Sequence, residues 1–139
     1  MSDPVALAFT WRYRRPLGAL APFFGALGEG RALAARCAVC GRAWFPPRAV
    51  CPDHGALEWV ELPGTGTVVA LTEGTRALPP AGEASPVRLA LVHMDGAENA
   101  ALGPLIGEGA AVVGVRVQLV PPDGPVAHPI QALRFGLVR

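Results

Sequence analysis

The chain has 139 residues, 51% hydrophobic and 17% charged, enough apolar material to bury the core of one domain or of a small domain with a short satellite. That balance excludes disorder driven by low hydrophobicity and high charge. Twelve basic residues nearly cancel eleven acidic ones, so the overall charge favours neither a nucleic-acid partner nor an anionic membrane. All the basic residues are arginine, which excludes Schiff-base and lysine-nucleophile chemistry. Three cysteines fit poorly with a secreted disulfide scaffold, and a cytoplasmic chain is expected.

The first fifteen residues, MSDPVALAFTWRYRR, mix aromatic and basic side chains and show no sustained period. Arg12, Arg14 and Arg15 then precede an uncharged run, residues 16–28, in the manner of a signal peptide. Pro16, Gly18, Pro22 and Gly25 interrupt that run, no convincing cleavage site follows, and it falls well short of the ~20 apolar residues of a membrane helix. Leu17, Leu20, Phe23, Phe24 and Leu27 recur at three- and four-residue spacing, which predicts a short helix over residues 22–29, capped by Gly28 or Gly30 and packed by its Phe and Leu face.

Residues 32–55 read as short strands held by two tight turns. Five β-like runs follow, over residues 65–75, 87–94, 99–106, 112–120 and 130–138, rich in Val, Leu, Ile and Thr. Pro79-Pro80, Asp95-Gly96, the stretch 107–109 and Pro121-Pro122-Asp123-Gly124 separate them as turn formers. In the fourth run Val113, Val115, Val117 and Leu119 alternate with Gly114, Arg116 and Gln118. Five short strands with exposed edges would invite aggregation, so a closed or nearly closed barrel of the OB type is the expected solution.

The strongest chemical signal is Cys37-Ala-Val-Cys40-Gly41 followed, ten residues beyond Cys40, by Cys51-Pro52-Asp53-His54-Gly55. Two ligands separated by two residues lie on the inner side of one tight turn, the bite a tetrahedral zinc ion requires. The glycine after each pair permits a positive φ, which lets backbone N–H groups point at the sulfurs. Cys37, Cys40, Cys51 and His54 are therefore the candidate ligands of a structural zinc site. Two other readings stand beside it: buried thiols or a decayed metal site, and a redox pair. The redox pair would need a βαβ context that the surrounding strands and prolines do not offer. Four protein ligands leave no open coordination position, so the zinc is expected to be structural rather than catalytic. Three thiolates and a divalent ion bring the formal charge of +1 to neutrality.

His93 and Asp95 in VHMDGAEN form a pair that could orient a general base, but no nucleophile is arranged with them, and Asp95-Gly96 also reads as a turn. His128 stands between Ala127 and Pro129. Trp11, Trp44, Trp59, Phe23, Phe24 and Phe45 are expected to be packing groups. Arg12, Arg14, Arg15, Arg42 and Arg48 read either as a phosphate-attracting surface or as a solvated face. No Walker loop, dinucleotide fingerprint or pair of catalytic carboxylates is present.

The stretch RYRRPLGALAPFFGALGEGRALAARCAVCGRAWFPPRAVCPDHG, with GTGTVVALTEG and ALVHMDGAEN after it, resembles the acyl-CoA-associated zinc-ribbon/OB-fold proteins catalogued as domain of unknown function family 35. The Cys-x-x-Cys-Gly knuckle, Phe45-Pro46-Pro47-Arg48, the second knuckle and Gly64-Thr65-Gly66-Thr67-Val68 carry the resemblance. His54 departs from it, since the family more often has cysteine there. The resemblance implies a mainly β chain in three parts: an N-terminal helical extension (1–31), a rubredoxin-like zinc ribbon (32–60) and a C-terminal five-stranded OB-fold barrel (61–139). It also implies a non-catalytic partner, in a hetero-oligomer, of thiolase-like enzymes (3-hydroxy-3-methylglutaryl-CoA synthases and steroid side-chain aldolases among them) or of acyl-CoA hydratases. Such a partner helps to hold the CoA-linked substrate, and Arg42 and Arg48 are the candidate contacts to the CoA phosphates. A single-stranded nucleic-acid binder is the alternative, and an independent enzyme the third reading. The barrel region, with five arginines and Phe135 as its one aromatic residue, lacks the cationic, aromatic-lined groove that nucleic acid requires.

Overall fold

The computed structural model describes residues 4–76 and 85–138. A 3-10 turn, Gly18–Leu20, leads into the one α-helix among the described residues, α1 (Ala21–Gly28). Pro22 sits in its first turn, where the missing N–H costs nothing. At the other end Gly30, at φ 74°, closes a Schellman cap: Gly30 N–H donates to Leu27 C=O at 3.0 Å and Arg31 N–H to Ala26 C=O at 2.9 Å. The helix buries Phe23, Ala26 and Leu27, whereas Leu17 and Leu20, expected on the same packed face, are exposed.

Three strands follow: β1 (Ala32–Arg36), β2 (Ala43–Trp44) and β3 (Glu58–Leu62). They form a small antiparallel sheet in the order β2-β1-β3. The sheet's outer edge is β3, a strand that the sequence reading did not anticipate: Glu58-Trp59-Val60-Glu61-Leu62 is short, bears charges at its edge and sinks no residue fully into the core.

Five further strands close into a barrel in the order β4-β5-β6-β8-β7: β4 (Thr65–Arg76), β5 (Ser85–Met94), β6 (Ala100–Ile106), β7 (Arg116–Leu119) and β8 (Phe135–Leu137). All neighbours are antiparallel except β6 and β8. This is the mainly β architecture expected, a zinc ribbon followed by a five-stranded OB-type barrel. The long β4 reaches both neighbours because a register shift between Val68 and Ala70 bends it. Gly66 sits where β4 is squeezed between them, and a Cβ there would lie 2.6 Å from the His93 carbonyl oxygen.

The last two strands are much shorter than the sequence runs. The run 112–120 contributes only Arg116–Leu119: Val112 and Val113 are exposed, and Gly114 at φ 93° breaks the extended path. The run 130–138 begins instead with a 3-10 turn, Pro129–Ala132, capped by His128, whose Nδ1 accepts from Ile130 N–H at 3.2 Å. A β-branched composition could not reveal where regular pairing stops, since Gly114 and Val115 still bond to Val68 outside the regular strand. The Pro79-Pro80 break falls outside the described residues.

Helix, ribbon and barrel share one continuous core. Phe23 and Leu27 of α1, Ala32, Ala34, Ala43 and Phe45 of the ribbon, and Val68, Val92, Met94 and Val117 of the barrel belong to the same buried cluster. Asn99 fastens the seam: its Oδ1 accepts from Phe45 N–H at 2.7 Å and its Nδ2 donates to Pro46 C=O at 3.1 Å. A second, small cluster of Cys37, Trp44, Cys51 and Leu57 forms the tip of the ribbon.

Candidate metal centre

Two knuckles build the tip. In the first, Gly41 N–H returns to Cys37 C=O at 2.9 Å, and Gly41 has φ 73°. In the second, Cys51 N–H donates to Gly55 C=O at 2.7 Å, Gly55 N–H donates back at 3.1 Å, and Gly55 has φ 83°. Both glycines occupy the left-handed region that the sequence anticipates, where a side chain would be strained.

The turns bring one donor atom from each of Cys37, Cys40, Cys51 and His54 within 4.8 Å of one another. Cys37 and Cys51 are buried, while Cys40 and His54 face outward. The His54 Nδ1 lies 3.6 Å from the Cys37 sulfur and 3.6 Å from that of Cys51, and the Cys40 and Cys51 sulfurs are 3.9 Å apart. A regular tetrahedron with zinc–sulfur bonds of ~2.3 Å and a zinc–nitrogen bond of ~2.0–2.1 Å has edges of roughly 3.8 Å between sulfurs and 3.6 Å from sulfur to nitrogen. These three separations match those edges, and three sulfurs with one imidazole nitrogen are a zinc donor set. The nearer ring nitrogen faces the site because the imidazole is presented from inside a tight turn.

The surroundings favour the thiolate at Cys40 and Cys51 but not at Cys37. The Arg42 Nε donates to the Cys40 sulfur at 3.3 Å, and this bond, with the Arg42 backbone N–H, holds the Cys40 thiol down at about 6. Cys51 is buried, which opposes ionisation, yet the N–H groups of Asp53 and His54 and the His54 ring bring it below its ordinary value. At Cys37 the Cys40 N–H pulls downward, but burial and the adjacent sulfurs leave the thiol raised. Interaction with Cys51 and Cys40 raises His54. A divalent cation would relieve all of these competing demands at once.

Of the two candidate CoA contacts, Arg42 is already committed. Its guanidinium bonds Cys40, pairs with Asp53 and lies 5.8 Å from the Trp44 ring centre. Arg48 lies over the same indole at 5.5 Å and forms no ion pair among the described residues. It borders a cavity of about 310 Å3 with Leu20, Pro47, Leu57 and Trp59. The structure gathers the four metal candidates but places Arg42 and Arg48 in different roles.

The remaining candidates resolve into structural parts. Asp95 accepts hydrogen bonds from Thr65 Oγ1 and both terminal nitrogens of Arg116, and those donors hold its carboxyl down at about 2. That network ties Asp95 to β7 rather than to a catalytic histidine. His128 caps its 3-10 turn and packs edge-on against Phe24 at 6.1 Å. Trp44, Phe23 and Phe45 are buried as expected, but Trp11 is 84% exposed and Trp59 40% exposed. Asn99, which joins ribbon to barrel, carried no sequence signal beyond its place after an Asp-Gly turn.

Two family descriptions match the chain in tandem: the ChsH2 rubredoxin-like zinc ribbon domain over residues 24–58, and the ChsH2 C-terminal OB-fold domain over residues 59–120. Among solved structures, the chain is similar to one described as the Ltp2-ChsH2(DUF35) aldolase, with 29% identity and a TM-score of 0.64, covering 88% of this chain and 98% of that one. It shares its fold with a protein of unknown function from the DUF35 family of Sulfolobus solfataricus, at 23% identity and a TM-score of 0.63, over 88% of this chain and 87% of that one. No curated protein matches the chain.

Proposed function

The chain belongs to the ChsH2 zinc-ribbon/OB-fold family, DUF35, and from that premise we propose that it is a partner subunit of an acyl-CoA enzyme, thiolase-like or hydratase, and that it helps to hold the CoA-linked substrate. The observation that carries this reading is the unbroken succession of both ChsH2 domains across residues 24–120. The similarity to the ChsH2 chain of an aldolase complex supports it.

The site chemistry agrees with an accessory role. Cys37, Cys40, Cys51 and His54 would hold the zinc, which supplies a crosslink between the two knuckles. Four protein donors leave it no position for water or substrate. Arg48 is the better candidate for a CoA phosphate contact, since Arg42 is spent on Cys40 and Asp53. A guanidinium stacked on an indole is pre-oriented, and it binds phosphate oxygens in a fork.

The nucleic-acid alternative loses support on the barrel. Arg88 donates to the carbonyls of Gly107 and Gly109, Arg116 is bound to Asp95, and Arg134 to Asp123. These three arginines are engaged by the barrel's own residues, so they do not form a cationic track for a nucleic-acid backbone among the described residues.

The test is purification of the tagged chain from its native host. Recovery in stoichiometric complex with an enzyme that turns over acyl-CoA is expected. Recovery as a lone monomer, or with nucleic acid, would overturn the reading.

A further inference from the structure

The segment that precedes the first 3-10 turn makes no use of the chain's own core. Every residue from 4 to 20 is exposed, and among the described residues no strand or helix precedes Gly18. The apolar side chains Val5, Leu7, Phe9, Trp11 and Tyr13 are 74% to 84% exposed. They fall on every second position, a period that the mixed composition of the first fifteen residues hides. The intervening positions are Ala6, Ala8, Thr10 and Arg12, and Arg14 follows.

Alternation of this kind is the signature of a strand with one face buried. An extended chain has no other way to place five large side chains on one side. Nine residues at ~3.3 Å each span about 30 Å, longer than any described strand of the ribbon sheet. Pro4 and Pro16 bracket the segment, and neither can donate to a ladder. Arg15, preceding Pro16, is itself biased towards extended backbone.

This chain offers the segment little in return. The barrel is closed and has no free edge. In the ribbon sheet, β2 is only two residues long. The outer β3 carries Glu58 and Glu61, which already pair with Arg36 and Arg31. Arg12, Arg14 and Arg15 form no ion pair among the described residues.

We propose that residues 5–13 are a docking strand that adds to an open sheet edge of the acyl-CoA enzyme subunit. Val5, Leu7, Phe9, Trp11 and Tyr13 cover an apolar floor there, and Arg12, Arg14 and Arg15 engage an acidic rim at the strand's C-terminal end. Main-chain ladder bonds supply affinity in such strand addition, and alternate side chains supply register. Ala6 and Ala8 keep the second face thin, so that another layer of the partner can close over it. The inference rests on the reading of the chain as a partner subunit, and its test separates the two.

The experiment compares amide hydrogen exchange of the full chain alone and in its purified native complex with the acyl-CoA enzyme, together with affinity of the variants Thr10→Pro, Thr10→Val and Phe9→Asp/Trp11→Asp for that enzyme. Residues 5–13 exchange freely in the isolated chain and become protected in the complex. The double aspartate variant loses at least a hundredfold in affinity, and Thr10→Pro at least tenfold while Thr10→Val loses little. Zinc content and circular dichroism of all variants match the parent chain, because the segment is outside the core. A complex that forms with residues 5–13 still unprotected overturns the docking strand and leaves the partner role intact. Protection that appears in the isolated chain with rising concentration assigns the strand to a second copy and also overturns the proposal. Absence of any acyl-CoA enzyme from the native preparation removes the partner role itself, and the strand proposal with it.

Discussion

Replacing Phe45 with alanine probes whether ribbon and barrel are one body. The Phe45 ring is fully buried between α1 and the barrel, edge-on to Phe23 with centroids 5.7 Å apart, and it belongs to the core cluster that also contains Val68 and Val92. Truncating a buried phenylalanine costs ~3–5 kcal/mol through lost transfer energy and the cavity left behind. With an unfolding entropy of ~2.1 cal/mol/K per residue, a chain of 139 residues loses its midpoint by about 10–17 °C for that cost. Thermal unfolding should be followed by far-ultraviolet circular dichroism for the barrel and by zinc release for the ribbon. The shared core requires both signals to move together by the same amount. A midpoint shift below about 3 °C, or a ribbon transition that moves while the barrel's stays in place, would refute the continuous core.

Metal analysis of protein purified without chelator should give one zinc per chain, and His54→Ala should weaken zinc in chelator competition by more than the roughly 10–100-fold that outer-shell changes cost. Stoichiometry far below one would sink the site. Asp95→Asn should destabilise by under ~1 kcal/mol at neutral pH, since the pair with Arg116 is exposed. The Asp95 carboxyl titrates at about 2, below its ordinary 3.8, so the pair's contribution is present above about pH 4 and lost as pH falls through about 2. Midpoints of parent and variant should therefore converge at low pH. In the partner complex, Arg48→Gln should weaken CoA by several-fold in calorimetry while dephospho-CoA responds less, with zinc content unchanged. Equal affinity of parent and variant would remove Arg48 from the site.

Local chemistry was the part most legible in the sequence. The Cys-x-x-Cys-Gly and Cys-x-x-His-Gly spacings specify both the four donors that the fold gathers and the positive-φ glycines, because a knuckle is built within a handful of residues. The helix followed from three- and four-residue periodicity, and its Gly30 cap from left-handed preference. The barrel was readable as five runs of β-branched residues, but strand length was not. How much of 112–120 or 130–138 pairs depends on neighbours far away in sequence, and Gly114 and His128 decide the outcome by turning the chain early. β3 escaped notice because its two glutamates and modest burial give no alternation to detect. Arg42 illustrates the limit for function: its place in sequence left a phosphate contact and a solvated face both open, whereas the fold sets its guanidinium against the Cys40 sulfur and Asp53. The exposure of Val5, Leu7, Phe9, Trp11 and Tyr13 became meaningful only once the fold showed that none of the described residues covers them.

The partner role is tested most directly by turnover. The acyl-CoA enzyme recovered with this chain should be assayed with the chain, without it, and beside the chain alone. A partner subunit should give no turnover by itself, and its removal should lower the enzyme's kcat/KM at least tenfold, restored by adding it back. Turnover by the chain alone, or an enzyme indifferent to its presence, would contradict the partner role.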